Sequence, residues 1–308
     1  MEMKEKAEIV DPLVSIIVIT YNSAKYVLET LESAKAQTYQ NIELIVSDDC
    51  STDDTVEICR DWINENGERF VRTELITAEK NTGIAPNCNR GLFAAKGEWI
   101  KYIAGDDVLL SNCIIEFTNA IINNENIKII FSDGFINGEE KTINTYRLEF
   151  YGMTASQQYI ELLKKNILLA PASFINRYLA TSLNGFNEDY PLFEDYPFFL
   201  KVLQNNNKIY HLNKKLVNYR VNYESISSTN IMNLNYYESV LNYFQRVHLK
   251  SLRNSGLIKF YCHYFIELIL LKLVLMKIIK RKKTFYFLLK WISNLGWEQR
   301  IKKIIRQT

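Results

Sequence analysis

Val14-Ser15-Ile16-Ile17-Val18-Ile19-Thr20 is a short, nearly continuous β-branched run. Runs of this kind are strands covered on both faces, the signature of a parallel sheet. Immediately after it, Ser23–Gln37 changes period: Tyr26, Val27, Thr30, Leu31 and Ala34 share one helical face. Ile42–Ser47 (IELIVS) reads as a second buried strand. Ser51-Thr52-Asp53-Asp54 then suggests a capping box opening a helix that runs to Asn64.

The same alternation continues outward. Glu74–Thr77 is a short strand, Pro86–Lys96 a helix closed by Gly97 as C-cap, and Trp99–Ala104 (WIKYIA) a strand. Ser111–Asn123 is a helix and Ile127–Ser132 a strand. Strands alternating with helices over short connections imply a doubly wound α/β fold. After Asn137 the rhythm weakens. Ser156–Lys165 and Pro197–Gln204 read as helices, and Ala172–Ile175 and Lys208–His211 as extended. Beyond Ile231 only helical spacing is left. A polar break near Thr229 divides residues 1–229, a catalytic domain with a nucleotide-binding part (12–137) and an acceptor part (138–229), from a helical region, 230–308.

Composition narrows the function. The chain has 308 residues, 47% of them apolar, enough to bury a large core. Its formal charge of +2 conceals an asymmetry: residues 251–308 hold 13 Lys/Arg and two acids, a net +11, so residues 1–250 carry −9. A basic tail suits nucleic acid or anionic lipid, and an acidic body can hold cations. No nucleic-acid-binding motif accompanies the charge, which disfavours that partner. Five scattered cysteines form no zinc-ligand pattern and fit a reducing compartment. The opening MEMKEKAEIVDP lacks an apolar core and is not a signal peptide. No charge-free window of spanning length exists. The expectation is a cytoplasmic protein, peripheral on the inner face of the cell membrane.

Three acidic pairs stand out: Asp48-Asp49 and Asp106-Asp107 close strands, and Glu194-Asp195 lies in an aromatic loop segment. Open α/β sheets bind ligands beyond the carboxyl ends of their strands. Two carboxylates ~4 Å apart repel by roughly 4 kcal/mol at an effective dielectric of 20. A cation or a set of donors relieves that repulsion, and Mg2+ and Mn2+ prefer such oxygen ligands, often with substrate phosphates. One pair alone reads as a solvated turn or cap, as Asp53-Asp54 does at a helix start; three in order favour a site.

Pro12–Asn22, Ser47–Thr55, Glu79–Gly83, Ala95–Ile100, Ala104–Asp107, Glu194-Asp195 and Leu216–Ser227 together resemble the family 2 glycosyltransferases, in the family's order. The resemblance implies a GT-A fold, a nucleotide-diphosphate sugar donor, most simply a UDP-sugar, and inversion at the anomeric carbon. It implies that Thr20 and Tyr21 line the nucleotide pocket and that Asp49, beside Asp48, accepts a hydrogen bond from the base or ribose. Asn81 and Gly83 would border the donor. Asp106 and Asp107 would hold Mn2+ or Mg2+, with Asp106 also facing the nucleotide. Asp195 would be the catalytic base, with Glu194 as runner-up, and Arg220 would reach the donor phosphates. The chain departs from the pattern at Ala104, where many relatives have an acid, at Cys88, where many have Arg, and at Asn222, where many have His. One base and one displacement suffice for inversion, and an aromatic setting would raise the pKa of Asp195.

The tail completes the expectation. From Leu257 to Arg281, Lys259, His263, Glu267, Lys277 and Arg281 share one sector of a helical projection; Lys272 falls outside it, and the remaining surface is Leu, Ile, Val, Phe and Tyr; Lys280–Lys283 and an aromatic stretch follow. Such helices suit an anionic membrane interface, or else pack onto the catalytic domain. His211, His248 and His263 read as structural. The acceptor would be a glycan or a polyprenyl-diphosphate-linked saccharide in bacterial surface-polysaccharide assembly. A sugar-1-phosphate nucleotidyltransferase is an alternative, but Tyr21–Tyr26 replaces the Gly-rich basic loop it needs; a catalytically inactive scaffold is another.

Overall fold

The computed structural model describes residues 11–140, 145–220 and 234–275. A nine-stranded mixed sheet runs in the order β3-β2-β1-β4-β8-β6-β9-β5, with β7 added beside β6. Its first half is β1 (Val14–Thr20), β2 (Ile42–Asp48), β3 (Arg72–Thr77) and β4 (Trp99–Ala104), all parallel. The helices α1 (Val27–Lys35), α2 (Thr55–Asn66) and α3 (Ile84–Ala94) make the crossovers. Ile16, Ile17, Val18, Leu44, Ile45 and Val46 are fully buried, as runs apolar on both faces require.

The second half is mixed in direction: β8, β5 and β7 run against the rest of the sheet. After β5 (Val108–Leu109) and α4 (Cys113–Ile122), β6 (Ile129–Ile136) pairs antiparallel with β7 (Glu139–Glu140) and β8 (Ser173–Asn176), and parallel with β9 (Tyr210–Tyr219). β8 also pairs antiparallel with β4, and β5 with β9. The helices here are α5 (Thr145–Gly152), α6 (Ala155–Lys164), α7 (Arg177–Ser182) and α8 (Asp195–Gln204). His211 is structural: its Nε2 lies 3.3 Å from Asp133 Oδ1, and its ring stacks on Tyr151.

Two terminus readings are corrected. Ser51 does not cap α2: its hydroxyl turns back to Asp48, and Asp53 Oδ1 instead accepts from the Thr55 amide at 3.1 Å. Gly97 is not a C-cap either: α3 ends at Ala94 with Ala95 as its C-cap, and the Gly97 amide donates to Glu43 Oε1 at 2.8 Å. Burial would raise the pKa of the Glu43 carboxyl, but hydrogen bonds from Ser15, Lys96, Gly97 and Arg72 outweigh it and hold the pKa low.

The C-terminal residues are helical to Leu275. α9 (Leu234–Tyr243) runs through a π-helical turn, Phe244–His248, into α10 (Leu249–Asn254). Gly256, at φ +71°, turns the chain into α11 (Ile258–Leu275). No helix among the described residues is long and apolar enough to cross a membrane. The expected break at Thr229 and the basic stretch Lys280–Lys283 lie outside the described residues.

Candidate active site

The parallel register sets the site. Thr20 is level with Asp48, and Ile19 with Ala104, so β2, β1 and β4 end together. Neighbouring strands lie about 4.8 Å apart, which puts the three ends within roughly 10 Å. The loops after these ends carry Asp48-Asp49, Tyr21–Ser23 and Gly105–Asp107. Gly105 permits the closest approach: a Cβ there would stand 3.0 Å from both Thr20 and Ser23 side chains.

Asp48 and Asp49 face opposite tasks. Asp48 is fully buried, accepting from Thr20 Oγ1 at 2.8 Å and from the Ser51 amide at 2.8 Å. Asp49, 2% exposed, accepts from Thr82 Oγ1 (2.7 Å), the Thr82 amide (2.9 Å), the Gly83 amide (2.6 Å) and Arg90 Nη2 (2.5 Å). A carboxylate has about four acceptor positions, so each of Asp49's is in use. Both carboxylates brace the loops of the pocket, and a direct bond from a base to Asp49 must displace one of these donors. Tyr21 and Asn81 are exposed beside them.

Arg90 was not anticipated. It stands on α3 two residues after Cys88, and its guanidinium joins Asp49, Thr82 and Asn87 Oδ1. Asn87 and Arg90 lie three residues apart on one helical face, a spacing that could have disclosed the pairing once Asp49 was placed. Between this cluster and the third acidic pair lies Cys88. Burial raises its pKa, and Glu194, Asp195 and Asp49 add to the rise, so carboxylates from both sides converge on this helix.

Gly83 locks that convergence. At φ +100° it adopts backbone that L side chains avoid, and an added Cβ would meet Pro191 at 2.7 Å. The Ala85 amide donates to Pro191 O at 2.9 Å. The segment leading to Glu194 thus packs on the loop held by Asp49. Glu194 and Asp195 do not sit in a free loop: Glu194 is the N-cap of α8 and Asp195 its first residue, with Pro197 tolerated in the first turn. Burial and the adjacent Asp195 push the Glu194 pKa well up.

Asp107 stands on the other side of β1. Its Oδ1 accepts from the Arg220 amide at 2.8 Å, while its Oδ2 is buried without a hydrogen-bond partner. Burial and neighbouring Asp106 push its pKa up to about 8, against the pull of the Arg220 amide and Lys101. Lys101, itself buried, ties β4 to the carbonyls of Pro171 and Ser173. The Arg220 side chain pairs with Glu29 at 2.6 Å and lies over the Tyr26 ring. An orphaned carboxylate oxygen beside a second acid fits an oxygen-preferring divalent cation. Among the described residues no three His, Cys, Asp or Glu side chains gather to hold a metal, so further ligands would come from substrate or solvent.

Residues 15–181 match the sequence family described as Glycosyl transferase family 2. The chain belongs to that family. It is therefore a glycosyltransferase, and the resemblance carried by its motifs is confirmed. The Escherichia coli protein named UDP-Glc:alpha-D-GlcNAc-diphosphoundecaprenol beta-1,3-glucosyltransferase WfaP is 31% identical over 225 residues, covering 72% of this chain and 82% of that one. A Rickettsia prowazekii relative, glycosyltransferase RP339, is 27% identical over 257 residues, covering 82% and 76%. Glycosyltransferase GlyG of Streptococcus pneumoniae is 39% identical over 102 residues, a third of each chain. Among solved structures, S. aureus TarS 1-349 in complex with UDP-GlcNAc superposes with a TM-score of 0.60 at 22% identity, covering 77% of this chain and 66% of that one. The fold is GT-A, with C-terminal helices added.

Proposed function

We propose that the chain transfers a sugar, with inversion, from a UDP-sugar to a hydroxyl of a lipid-linked glycan during bacterial surface-polysaccharide assembly. The observation that carries the chemistry is the buried, unpartnered Oδ2 of Asp107 beside Asp106. These two residues would hold Mn2+ or Mg2+, which when bound supplies Lewis-acid stabilisation of the departing diphosphate. The donor class is supported by the UDP-GlcNAc complex of TarS, and the acceptor class by the activity that WfaP is named for.

Thr20, Tyr21, Asn81 and Gly83 border the nucleotide pocket, with Asp48 and Asp49 fixing its walls. Arg220 supplies a cation at the diphosphate. Its partner Glu29 is 61% exposed, and an exposed pair of this kind is worth about 0–1 kcal/mol, so exchange for a phosphate costs little. Burial and the adjacent Asp195 favour the protonated form of Glu194. Asp195 Oδ1 accepts the Tyr196 amide at 2.6 Å at a helix N-terminus, a setting that favours a carboxylate. Asp195 takes the acceptor's proton, and Glu194 stays protonated.

Docking at the membrane surface is part of this reading, and the surface of α11 supports it. It buries Tyr264 and Leu268 and exposes Phe265, Ile266 and Ile269. Apolar surface next to a basic tail suits the anionic inner face of the cell membrane.

Asp107→Asn tests the metal site while keeping an acceptor for the Arg220 amide. Calorimetry with UDP should show a Mn2+-dependent gain in affinity for the wild type and its loss, about tenfold or more, in the variant. Equal Mn2+ dependence in both proteins rejects the assignment.

A further inference from the structure

The C-terminal helices reach the candidate base through one buried tyrosine. Tyr196 is 2% exposed, and its ring contacts Phe193, Tyr243, Phe244 and His248. Its hydroxyl has one proton, which goes to Leu162 O at 2.9 Å on α6. The 3.4 Å contact between Tyr196 Oη and His248 Nδ1 therefore needs the proton on Nδ1. That fixes the tautomer of His248 and leaves Nε2 as a bare acceptor.

His248 Nε2 has no hydrogen-bond partner, although the residue is fully buried. An orphaned buried acceptor is destabilising, because it has given up its water without gaining a partner. The residue also closes a π-helical turn, a rare departure that concentrates at functional sites. A phenylalanine would fill the aromatic cage without either difficulty. What histidine adds is the Nδ1–H aimed at Tyr196. From Tyr196 the chain of bonds continues through its own amide to Asp195 Oδ1.

We propose that Tyr196 is a positioning residue for the Asp195 carboxylate and that His248 fixes it, so the helices after residue 234 set the geometry of the base. This rests on the reading of Asp195 as base. Two ends of Tyr196 are held, the ring by α6 and the π-helical turn, the amide by Asp195. Displacement of the ring would pull on the first turn of α8, which carries the carboxylate. A misplacement near 1 Å at a reacting group can cost about 100-fold in rate.

The test uses the full chain with Mn2+ and follows UDP release to water from whichever of UDP-glucose, UDP-galactose and UDP-GlcNAc the wild type turns over fastest. Asp195→Asn should abolish turnover. Tyr196→Phe and His248→Leu should lower kcat about tenfold or more, with KM and the calorimetric Kd for UDP within about twofold. His248→Asn, whose amide N–H can stand where Nδ1–H stood, should recover to within about twofold of wild type. Wild-type kcat in folded Tyr196→Phe and His248→Leu, with Asp195→Asn inactive, overturns the positioning role and leaves the base intact. Full turnover in Asp195→Asn removes the base, and the proposal with it. If Tyr196→Phe does not fold, the contrast between His248→Leu and His248→Asn decides alone: equal kcat in the two overturns it.

Discussion

Acid should destabilise this protein through His248, and the size of the effect can be worked out. Burial lowers the His248 pKa from 6.5 to about 3 in the folded chain. The unfolded chain therefore binds a proton at this residue below pH 6.5 while the folded chain binds none until about pH 3. Unfolding takes up a proton across that window, so stability is full above pH 6.5 and is lost as the pH falls. One pH unit of differential binding is worth about 1.4 kcal/mol, so lowering the pH from 7.5 to 5 removes roughly 2 kcal/mol. Asp107 and Glu194, whose pKa values are raised, act in the opposite direction. Comparing the wild type with His248→Asn cancels their contribution, because Asn does not titrate. Urea unfolding of both proteins at pH 7.5, 6 and 5 should show the stability difference moving toward the variant by about 2 kcal/mol. A difference constant to within about 0.5 kcal/mol refutes the buried, neutral histidine.

Gly83→Ala should lower stability by roughly 2–4 kcal/mol in chemical denaturation, because a Cβ at φ +100° meets Pro191 at 2.7 Å. It should also weaken UDP binding in calorimetry, since the Gly83 amide braces Asp49; wild-type values for both refute the packing argument. A chain ended at residue 229 should run as aggregate in size-exclusion chromatography, having lost Tyr243 and Phe244 from the faces of Tyr190, Phe193 and Tyr196. A monomeric fragment that binds UDP contradicts it.

The parallel half of the sheet was legible because its strands are covered on both sides. Val14–Thr20 and Trp99–Ala104 have the bounds that their apolar runs announce. Termini were less legible, since polar side chains near them have several possible partners. Ser51 chose a buried aspartate over an amide, and Asn22, at φ 50°, with Ser23 delayed the start of α1 to Val27. The three acidic pairs were visible as pairs. Their division of labour was not, because Asp49 owes its bracing role to Thr82, Gly83 and Arg90, which lie more than thirty residues away. His248 read as a packing residue. Only the fold reveals that its ring nitrogen meets a tyrosine fifty-two positions earlier.

The π-helical turn carries a consequence for how this helix could change over time. A π turn holds one more residue than the α turn it replaces, and each residue advances a helix by about 100°. Deleting a single residue between Phe244 and His248 would restore regular winding while the segment downstream kept its facing. Leu249 and Leu252 would stay on their buried face. Loss of one codon there would thus remove the π turn, and with it the placement of His248, without turning the helix that follows.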